Sequence, residues 1–183
     1  KQGDKITPLF LDRMPHNGKE GIVYGCVIAS ISSLLIGGYN VYDNMGYSID
    51  SFGEFVARYL IIWPVMFLIA FALANTIVGR TAVKVVGRFA SPSDSVNACI
   101  VMNIIVCVLM MSVILTFVGG LVGETLGYLM GGPSVDVAEL TGNWPKIWPR
   151  NFCIAFWVEM LIAQPAARAV MVWAHRSGRA QSA

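Results

Sequence analysis

The sequence predicts an all-α integral membrane protein, a bundle of four transmembrane helices built from two tandem parallel two-helix units. The first observation is composition: 56% of the 183 residues are hydrophobic and only 13% are charged, whereas soluble domains average about 25% charged residues. The second is a set of four apolar stretches, each close to the roughly 20 residues that a helix needs to cross a bilayer. The third is a motif that occurs once in each half of the chain.

The four apolar stretches are predicted to be helices because lipid offers no partners for an open strand, whereas a helix satisfies its own backbone. Their predicted limits are Gly21–Tyr39, Val56–Gly79, Ala98–Val122 and Phe152–Val172.

The distribution of Lys and Arg predicts the orientation of the spans. Cytoplasmic loops of membrane proteins carry an excess of these residues. Of the 13 in the chain, only Arg58, Lys146 and Arg150 fall in the first and third loops. Both termini and the second loop are therefore expected in the cytoplasm. The remaining Lys and Arg residues, which set this bias, are Lys1, Lys5, Arg13, Lys19, Arg80, Lys84, Arg88, Arg168, Arg176 and Arg179.

An internal repeat relates the two halves. Residues 63–71 read WPVMFLIAF and residues 148–156 read WPRNFCIAF, at an offset of 85. Arg80 and Arg168 pair at an offset of 88 instead, which predicts a three-residue slip between the motif and the arginines. Each unit holds an even number of spans, so the two copies keep one orientation and form parallel repeats. The proline of each Trp-Pro pair is expected in the first turn of its helix, where a missing N–H costs little.

These residues carry a resemblance. The pattern WP..F.IAF…IAQP..R, most complete in residues 152–171, resembles a family of short bacterial membrane proteins made of two-helix units, known as a domain of unknown function. The chain resembles two such units in tandem. The first copy departs from the pattern, since residues 74–80 read ANTIVGR and lack the Gln-Pro step. The resemblance implies an integral protein of the bacterial cytoplasmic (inner) membrane and brings no catalytic residues.

The expected organisation has four parts. They are a cytoplasmic N-terminal segment (1–20), a first membrane unit (21–90), a second membrane unit (94–176) and a cytoplasmic tail (177–183).

Glu159 is the leading candidate for a functional residue, because an ionisable group inside a span is costly and marks a functional site by default. It shares one helix face with Ala155, Ala163 and Ala167. A face of small residues points at another helix rather than at lipid, so Glu159 is expected inside a bundle or at a subunit interface. The alternative is a structural, hydrogen-bonded glutamate.

Four further polar residues complete the predicted substrate- or ion-binding set. Asn75, Asn103 and Gln164 could line a polar pathway, or simply join helices by hydrogen bonds. Arg168 could contact an anionic group, or extend to the membrane interface. Pro165 removes a backbone hydrogen bond beside Gln164 and is expected to bend the fourth helix there.

A second stripe of small residues runs along the first span. Gly21, Gly25, Ala29, Ser33 and Gly37 recur at every fourth position, which lets helix backbones approach closely. This stripe is a candidate face for self-association or for a partner membrane protein.

Several classes of function are not supported by the residues present. The net charge of +2 is small and the basic residues are dispersed, so no nucleic-acid partner is expected. The four cysteines form no CxxC pair and both histidines lie outside the spans, so neither a metal nor a cofactor is predicted. Motifs of the hydrolase, metalloprotease and P-loop types are missing, so no enzyme is predicted.

Two functional hypotheses follow for a protein embedded in the lipid bilayer. The first is a proton- or cation-coupled transporter or exporter of a small solute, oligomeric because four short helices enclose little volume, with Glu159 as its coupling carboxylate. The second is a non-transporting accessory or scaffold protein that binds a partner membrane protein through its small-residue helix faces.

Overall fold

The computed structural model of the chain describes residues 15–44, 52–91 and 94–181. Four long helical rods make up these residues, and the described ranges contain no strand. All four rods are long and apolar enough to cross a membrane, so the predicted all-α four-helix membrane architecture is confirmed. In chain order the elements are α1 (Gly18–Asn44), α2 (Phe52–Leu73), the first π-segment (Ala74–Val78), α3 (Gly79–Phe89), α4 (Val96–Leu129), α5 (Val137–Val158), the second π-segment (Glu159–Ala163) and α6 (Gln164–Gln181).

The rods begin and end where the sequence supplies capping chemistry. The side chains of Asn17, Ser95 and Asp136 accept hydrogen bonds from backbone N–H groups in the first turns of α1, α4 and α5, which satisfies donors that would otherwise lack partners. Helix α4 ends at Leu129, and two residues later Gly131 has a φ of 92°, in the left-handed region that glycine adopts without strain. Helices α2 and α3 are continuous through the first π-segment, and α5 and α6 through the second.

The four rods pack in a ring. Helix α1 contacts α2, α4 contacts α5, α3 also contacts α4, and α6 returns to α1. The contacts between the two halves come in matched pairs: α1 packs against the second π-segment and α6, as α4 packs against the first π-segment and α3. The two halves therefore meet at two equivalent interfaces.

The repeat holds a single offset through the second and fourth rods. Helices α2 and α5 begin at Phe52 and Val137, and the two π-segments begin at Ala74 and Glu159, in both cases 85 residues apart. Ala82 and Ala167 keep this offset, and both are fully buried. The predicted three-residue slip is therefore wrong. A buried alanine at a helix contact fixes the register, whereas long arginine side chains can reach the same depth from different positions.

The prolines of the Trp-Pro motifs do not lie in the first helical turns. Pro64 and Pro149 lie well inside α2 and α5, more than three turns after each helix begins. The prediction is wrong because each helix begins twelve residues before its proline, α2 at Phe52 and α5 at Val137 after the Asp136 cap. Membrane helices tolerate an interior proline when neighbouring groups satisfy the freed carbonyl.

Aromatic side chains follow one another at every fourth position along α2 and α5, at the 85-residue offset. In α5 they fasten neighbouring helices: Trp144 Nε1 donates to the Val113 carbonyl at 3.2 Å and Trp148 Nε1 donates to Ser112 Oγ at 3.1 Å. In α2 the Tyr59 hydroxyl donates to the Leu34 carbonyl. The two rows are Phe55, Tyr59, Trp63, Phe67 and Phe71, and Trp144, Trp148, Phe152 and Phe156.

The small-residue stripe of α1 packs within the chain. Ala29 is buried. A Cβ atom added to Gly25 would lie 3.9 Å from Asn75 Nδ2, and one added to Gly37 would lie 3.8 Å from the Tyr59 ring. At Gly25 and Gly37 the stripe therefore accommodates the second rod of the same molecule, whereas a Cβ atom at Gly21 would meet nothing within 4 Å.

Polar pairs join α1 to the fourth rod at both ends. At one end the Arg150 guanidinium forms an ion pair with Asp43 and lies 5.4 Å from the centre of the Tyr39 ring. At the other end His175 lies within hydrogen-bonding distance of Glu20. The candidate site lies between these two pairs.

Candidate functional site

Glu159 begins the second π-segment and faces the interior, as its row of alanines predicts. Ala163 and Ala167, which follow on the same face, have no exposed surface at all. The second π-segment packs against α1 on one side and against α4 on another. Glu159 is thus held at the interface between the two halves of the molecule.

Both carboxylate oxygens of Glu159 accept hydrogen bonds. Ser32 of α1 donates its hydroxyl to Oε2 at 2.9 Å. Gln164 of α6 donates its side-chain amide to Oε1 at 3.2 Å. The Gln164 carbonyl oxygen in turn accepts a hydrogen bond of 2.5 Å from the Tyr24 hydroxyl. The result is a continuous polar chain across the α1–α6 contact.

Arg168 extends this chain toward the end of the bundle where α1 begins and α6 ends. It lies one helical turn after Gln164 and interacts with the Tyr24 hydroxyl. Its Nε atom is buried without a hydrogen-bond partner among the described residues. From here on, the residues Tyr24, Ser32, Glu159, Gln164 and Arg168 are called the polar chain.

Helix α4 approaches Glu159 from the remaining side. The Cys107 thiol is near enough to the Glu159 carboxylate for the two groups to interact electrostatically. Neighbours from both halves therefore surround the carboxylate: α1 from the first unit, and α4 and α6 from the second.

The second π-segment brings Glu159 and Gln164 together. In an α-helix, residues five apart point about 140° away from each other, at 3.6 residues per turn. The wider π turn joins the Gln164 N–H to the Glu159 carbonyl and so aligns the two residues on one face. Their side chains can then form a hydrogen bond that a regular α-helix would not allow.

Pro165 explains why the helix widens at this point. A proline inside a helix lacks an N–H, and its ring collides with the carbonyl four residues earlier. A π turn immediately before Pro165 moves that carbonyl aside. The predicted disturbance of the fourth helix therefore exists, and it takes the form of a π-segment.

The first π-segment arises from different residues. Asn75 Nδ2 donates to the Phe71 carbonyl at 2.8 Å, and Thr76 Oγ1 donates to the Ala72 carbonyl at 2.6 Å. Side-chain bonds of this type compete with the helical backbone pattern. Two unrelated chemical causes thus place a π turn at the same point of each repeat.

The two equivalent interfaces carry different residues at this point. At the 85-residue offset, Ala74 stands where Glu159 stands, and Gly79 stands where Gln164 stands. The first unit therefore has no counterpart of the carboxylate–amide pair.

The structure joins three of the five predicted site residues. Glu159, Gln164 and Arg168 belong to the polar chain. Asn75 bonds to its own helix and lies against Gly25, so its predicted place in a shared pathway is not supported. Asn103 lies one turn before Cys107 on α4, and within the described ranges no hydrogen bond joins its side chain to the polar chain.

Sequence reasoning missed Tyr24 and Ser32. Both belong to an apolar helix, and their spacing of eight residues places them on one face. That spacing is a usable signal. The neighbouring row of glycines and Ser33 is a more regular pattern, however, and it predicts helix packing instead of a polar site.

Comparison with known proteins gives one relationship. The family model described as "Domain of unknown function (DUF2798)" matches twice, over residues 17–90 and 98–175. No curated protein matches significantly, and neither does any solved structure.

Proposed function

The chain belongs to the DUF2798 family as a tandem pair of its domains, and we propose that it is a proton-coupled transporter or exporter of a small solute, with Glu159 as the proton-binding group. The observation that carries the proposal is the polar chain, which surrounds a carboxylate at the interface between the two halves. Ionisable residues in such positions mark ion and substrate pathways.

The donors around Glu159 favour a proton over a metal cation as the coupling ion. Ser32 and Gln164 both direct hydrogens at the carboxylate. A cation would need oxygen atoms turned toward it in those places, but the Ser32 hydrogen points at the carboxylate and the Gln164 oxygen accepts from Tyr24. A proton needs only one carboxylate oxygen, and the Ser32 hydroxyl can reverse its donor role by rotation.

Tyr24 and Arg168 supply a route between Glu159 and the end of the bundle where α1 begins and α6 ends. The Tyr24 hydroxyl can also donate or accept. The Arg168 guanidinium is permanently charged and can hold an anionic group of the solute near the same route. The excess of Lys and Arg at this end supports a cytoplasmic location for it, and the family resemblance supports the bacterial inner membrane.

A complete translocation path would require a second copy of the chain. Four helices packed in a ring around alanines leave little internal volume. Because the α1 stripe packs within the molecule at Gly25 and Gly37, the proposed homo-oligomer would form through other lipid-facing surfaces. Large apolar side chains such as Leu68 and Leu161 are more than 60% exposed there.

Proton movement in liposomes tests the proposal. The purified protein is reconstituted with a pH-sensitive dye inside the vesicles, and lumenal pH is followed after an imposed proton gradient. Wild-type protein should dissipate the gradient, and Glu159→Gln should not. Glu54→Gln is the matched control, because Glu54 is an exposed carboxylate that pairs with Arg58 in its own helix. Equal proton movement in wild type and Glu159→Gln would refute the assignment.

A scaffold role is the second candidate, and one observation favours it: both carboxylate oxygens of Glu159 already accept a hydrogen bond, from Ser32 and from Gln164. A carboxylate with structural duty alone would show the same satisfied pattern. In that case Glu159→Gln should leave partner binding unchanged, and a partner membrane protein should co-purify with wild type and variant alike.

A further inference from the structure

The two histidines of the chain meet at the end of the α1–α6 contact. His16 and His175 are the only histidines in the sequence, and their rings stack with centroids 4.2 Å apart and planes 6° apart. Glu20 lies beside both: its Oε2 atom is 3.1 Å from His175 Nε2 and accepts a 2.6 Å hydrogen bond from the His16 backbone N–H. Two imidazoles and a carboxylate thus converge from opposite ends of the chain.

The cluster is held by the start of α1. Asn17 caps this helix by accepting a hydrogen bond from the Glu20 N–H, and the Asn17 side-chain amide donates to Glu20 Oε1 at 2.8 Å. These bonds orient the Glu20 carboxylate, so that Oε2 points to the histidines. His175 is largely enclosed, with 11% of its side chain exposed, and Glu20 has 25% exposed. One side chain of the cluster, that of His16, is exposed.

We propose that His16, Glu20 and His175 form a binding site for a divalent transition-metal cation, with Zn²⁺ as the best match to the ligands. One potential ligand atom from each residue lies within 4.8 Å of the other two. Ligand atoms in a tetrahedral zinc site are roughly 3.4 Å apart, given metal–ligand distances near 2.0–2.2 Å. Rotation of the exposed His16 ring and a small shift of the Glu20 carboxylate would bring the ligand atoms from the observed separation to the one that zinc requires.

The ligand set matches borderline metals rather than Mg²⁺ or Ca²⁺. Imidazole nitrogen suits zinc, copper, nickel and iron, whereas magnesium and calcium take oxygen ligands. Three protein ligands leave a fourth position for water or another group. The hydrogen bonds from Asn17 and from the His16 N–H would orient the Glu20 carboxylate, as outer partners orient ligands in other metal sites.

The site would fasten the first unit to the second, because its ligands come from the start of α1 and from α6. The metal would close the end of the same interface that holds the polar chain. The inference is independent of the proposed transport function, since it rests on a separate cluster of side chains and is tested by metal binding alone.

The test is a Zn²⁺ titration of the protein in detergent, in which isothermal titration calorimetry measures binding. The protein must be purified without a polyhistidine tag, because two native histidines would be masked by a tag. We expect one Zn²⁺ per chain and a thermal unfolding transition that rises when Zn²⁺ is added. No binding by the wild-type protein overturns the proposal, whatever the variants do.

Variants then assign the ligands. His16→Asn, His175→Asn and Glu20→Gln should each weaken Zn²⁺ binding at least tenfold and remove the rise in the unfolding transition. Glu54→Gln is the control and should bind as wild type. Variants that bind Zn²⁺ as tightly as the wild-type protein place the metal elsewhere and refute the site. Because a variant could fail to fold, Co²⁺ absorption of the wild-type protein serves as a second measurement. A spectrum without the strong visible bands of tetrahedral Co²⁺ contradicts the proposed ligand set.

Discussion

The hydrogen bond between Tyr24 and Gln164 allows a quantitative test of the polar chain. Its O–H···O distance of 2.5 Å is at the short end of the normal range. Tyr24→Phe removes the hydroxyl with almost no change of shape and leaves the Gln164 oxygen without this donor. The expected loss of stability is about 1 kcal/mol, the typical net value of one hydrogen bond.

Gln164→Met removes more hydrogen bonds than Tyr24→Phe. It deletes the bond to Tyr24 and also the amide that donates to Glu159 Oε1 at 3.2 Å. An acceptor left without its donor in a buried site costs about 1–3 kcal/mol, so we expect a total loss of about 2 kcal/mol. The two substitutions share one interaction, and for that reason their effects should not add.

A double-mutant cycle isolates the shared term. Cycles on membrane-helix hydrogen bonds average about 0.6 kcal/mol, with a maximum near 1.7 kcal/mol. Tyr24→Phe combined with Gln164→Met should therefore cost about 0.6–1 kcal/mol less than the sum of the single variants. Reversible unfolding in mixed micelles, with increasing mole fraction of denaturing detergent, measures each free energy.

The control pairs Gln164→Met with Tyr59→Phe. The Tyr59 hydroxyl donates to the Leu34 carbonyl, in a contact that does not involve Gln164. The free-energy changes caused by substitutions at independent sites add within roughly 0.3–0.5 kcal/mol. A Tyr24–Gln164 coupling no larger than the Tyr59–Gln164 coupling would refute the polar chain as a connected unit.

Two further substitutions test the packing and the π turn. A Cβ atom at Gly120 would lie 2.4 Å from Leu140 Cδ1, whereas one at Gly123 would meet nothing within 4 Å. Gly120→Ala should therefore destabilise the protein by about 1 kcal/mol, because crowding costs about 1–3 kcal/mol and alanine regains about 0.5–1 kcal/mol in a helix. Gly123→Ala should stabilise the protein slightly, and unfolding in mixed micelles measures both effects. Pro165→Ala removes the cause of the second π-segment and should rotate Gln164 away from its carboxylate partner, which would abolish the coupling measured in the Tyr24 cycle. Equal effects of the two glycine variants, or an unchanged coupling in Pro165→Ala, would contradict these explanations.

The architecture could be predicted from the sequence because lipid imposes simple rules. Apolar length determines the spans, and the repeat WP..F.IAF shows that the chain has two units. The inward position of Glu159 followed from its alanine neighbours, two of which are fully buried. The family relationship was likewise visible from residues 152–171.

Other features depended on contacts between distant parts of the chain. No local sequence pattern predicts that Ser32 and Tyr24 of α1 contact residues of the fourth rod. The π turns were equally hidden, since Pro165 predicts only a disturbance, and the Asn75–Thr76 pair reads as ordinary polar residues. The predicted absence of a metal site considered cysteine spacing and span positions, and it could not foresee that His16 and His175 stack. The positions of Pro64 and Pro149 were mispredicted because α2 and α5 begin twelve residues before them, at Phe52 and Val137.

The matched interfaces of the two halves have a consequence for the electrostatics of the bundle. In a symmetric assembly of two identical units, a glutamate placed at one interface is necessarily placed at the other. Two carboxylates would then have to be withdrawn from water, and each would add its own desolvation penalty. Joining the units in one polypeptide removes that obligation: Ala74 occupies one interface and Glu159 the other. Covalent duplication thus lets a single molecule hold an odd number of buried acids, one instead of two.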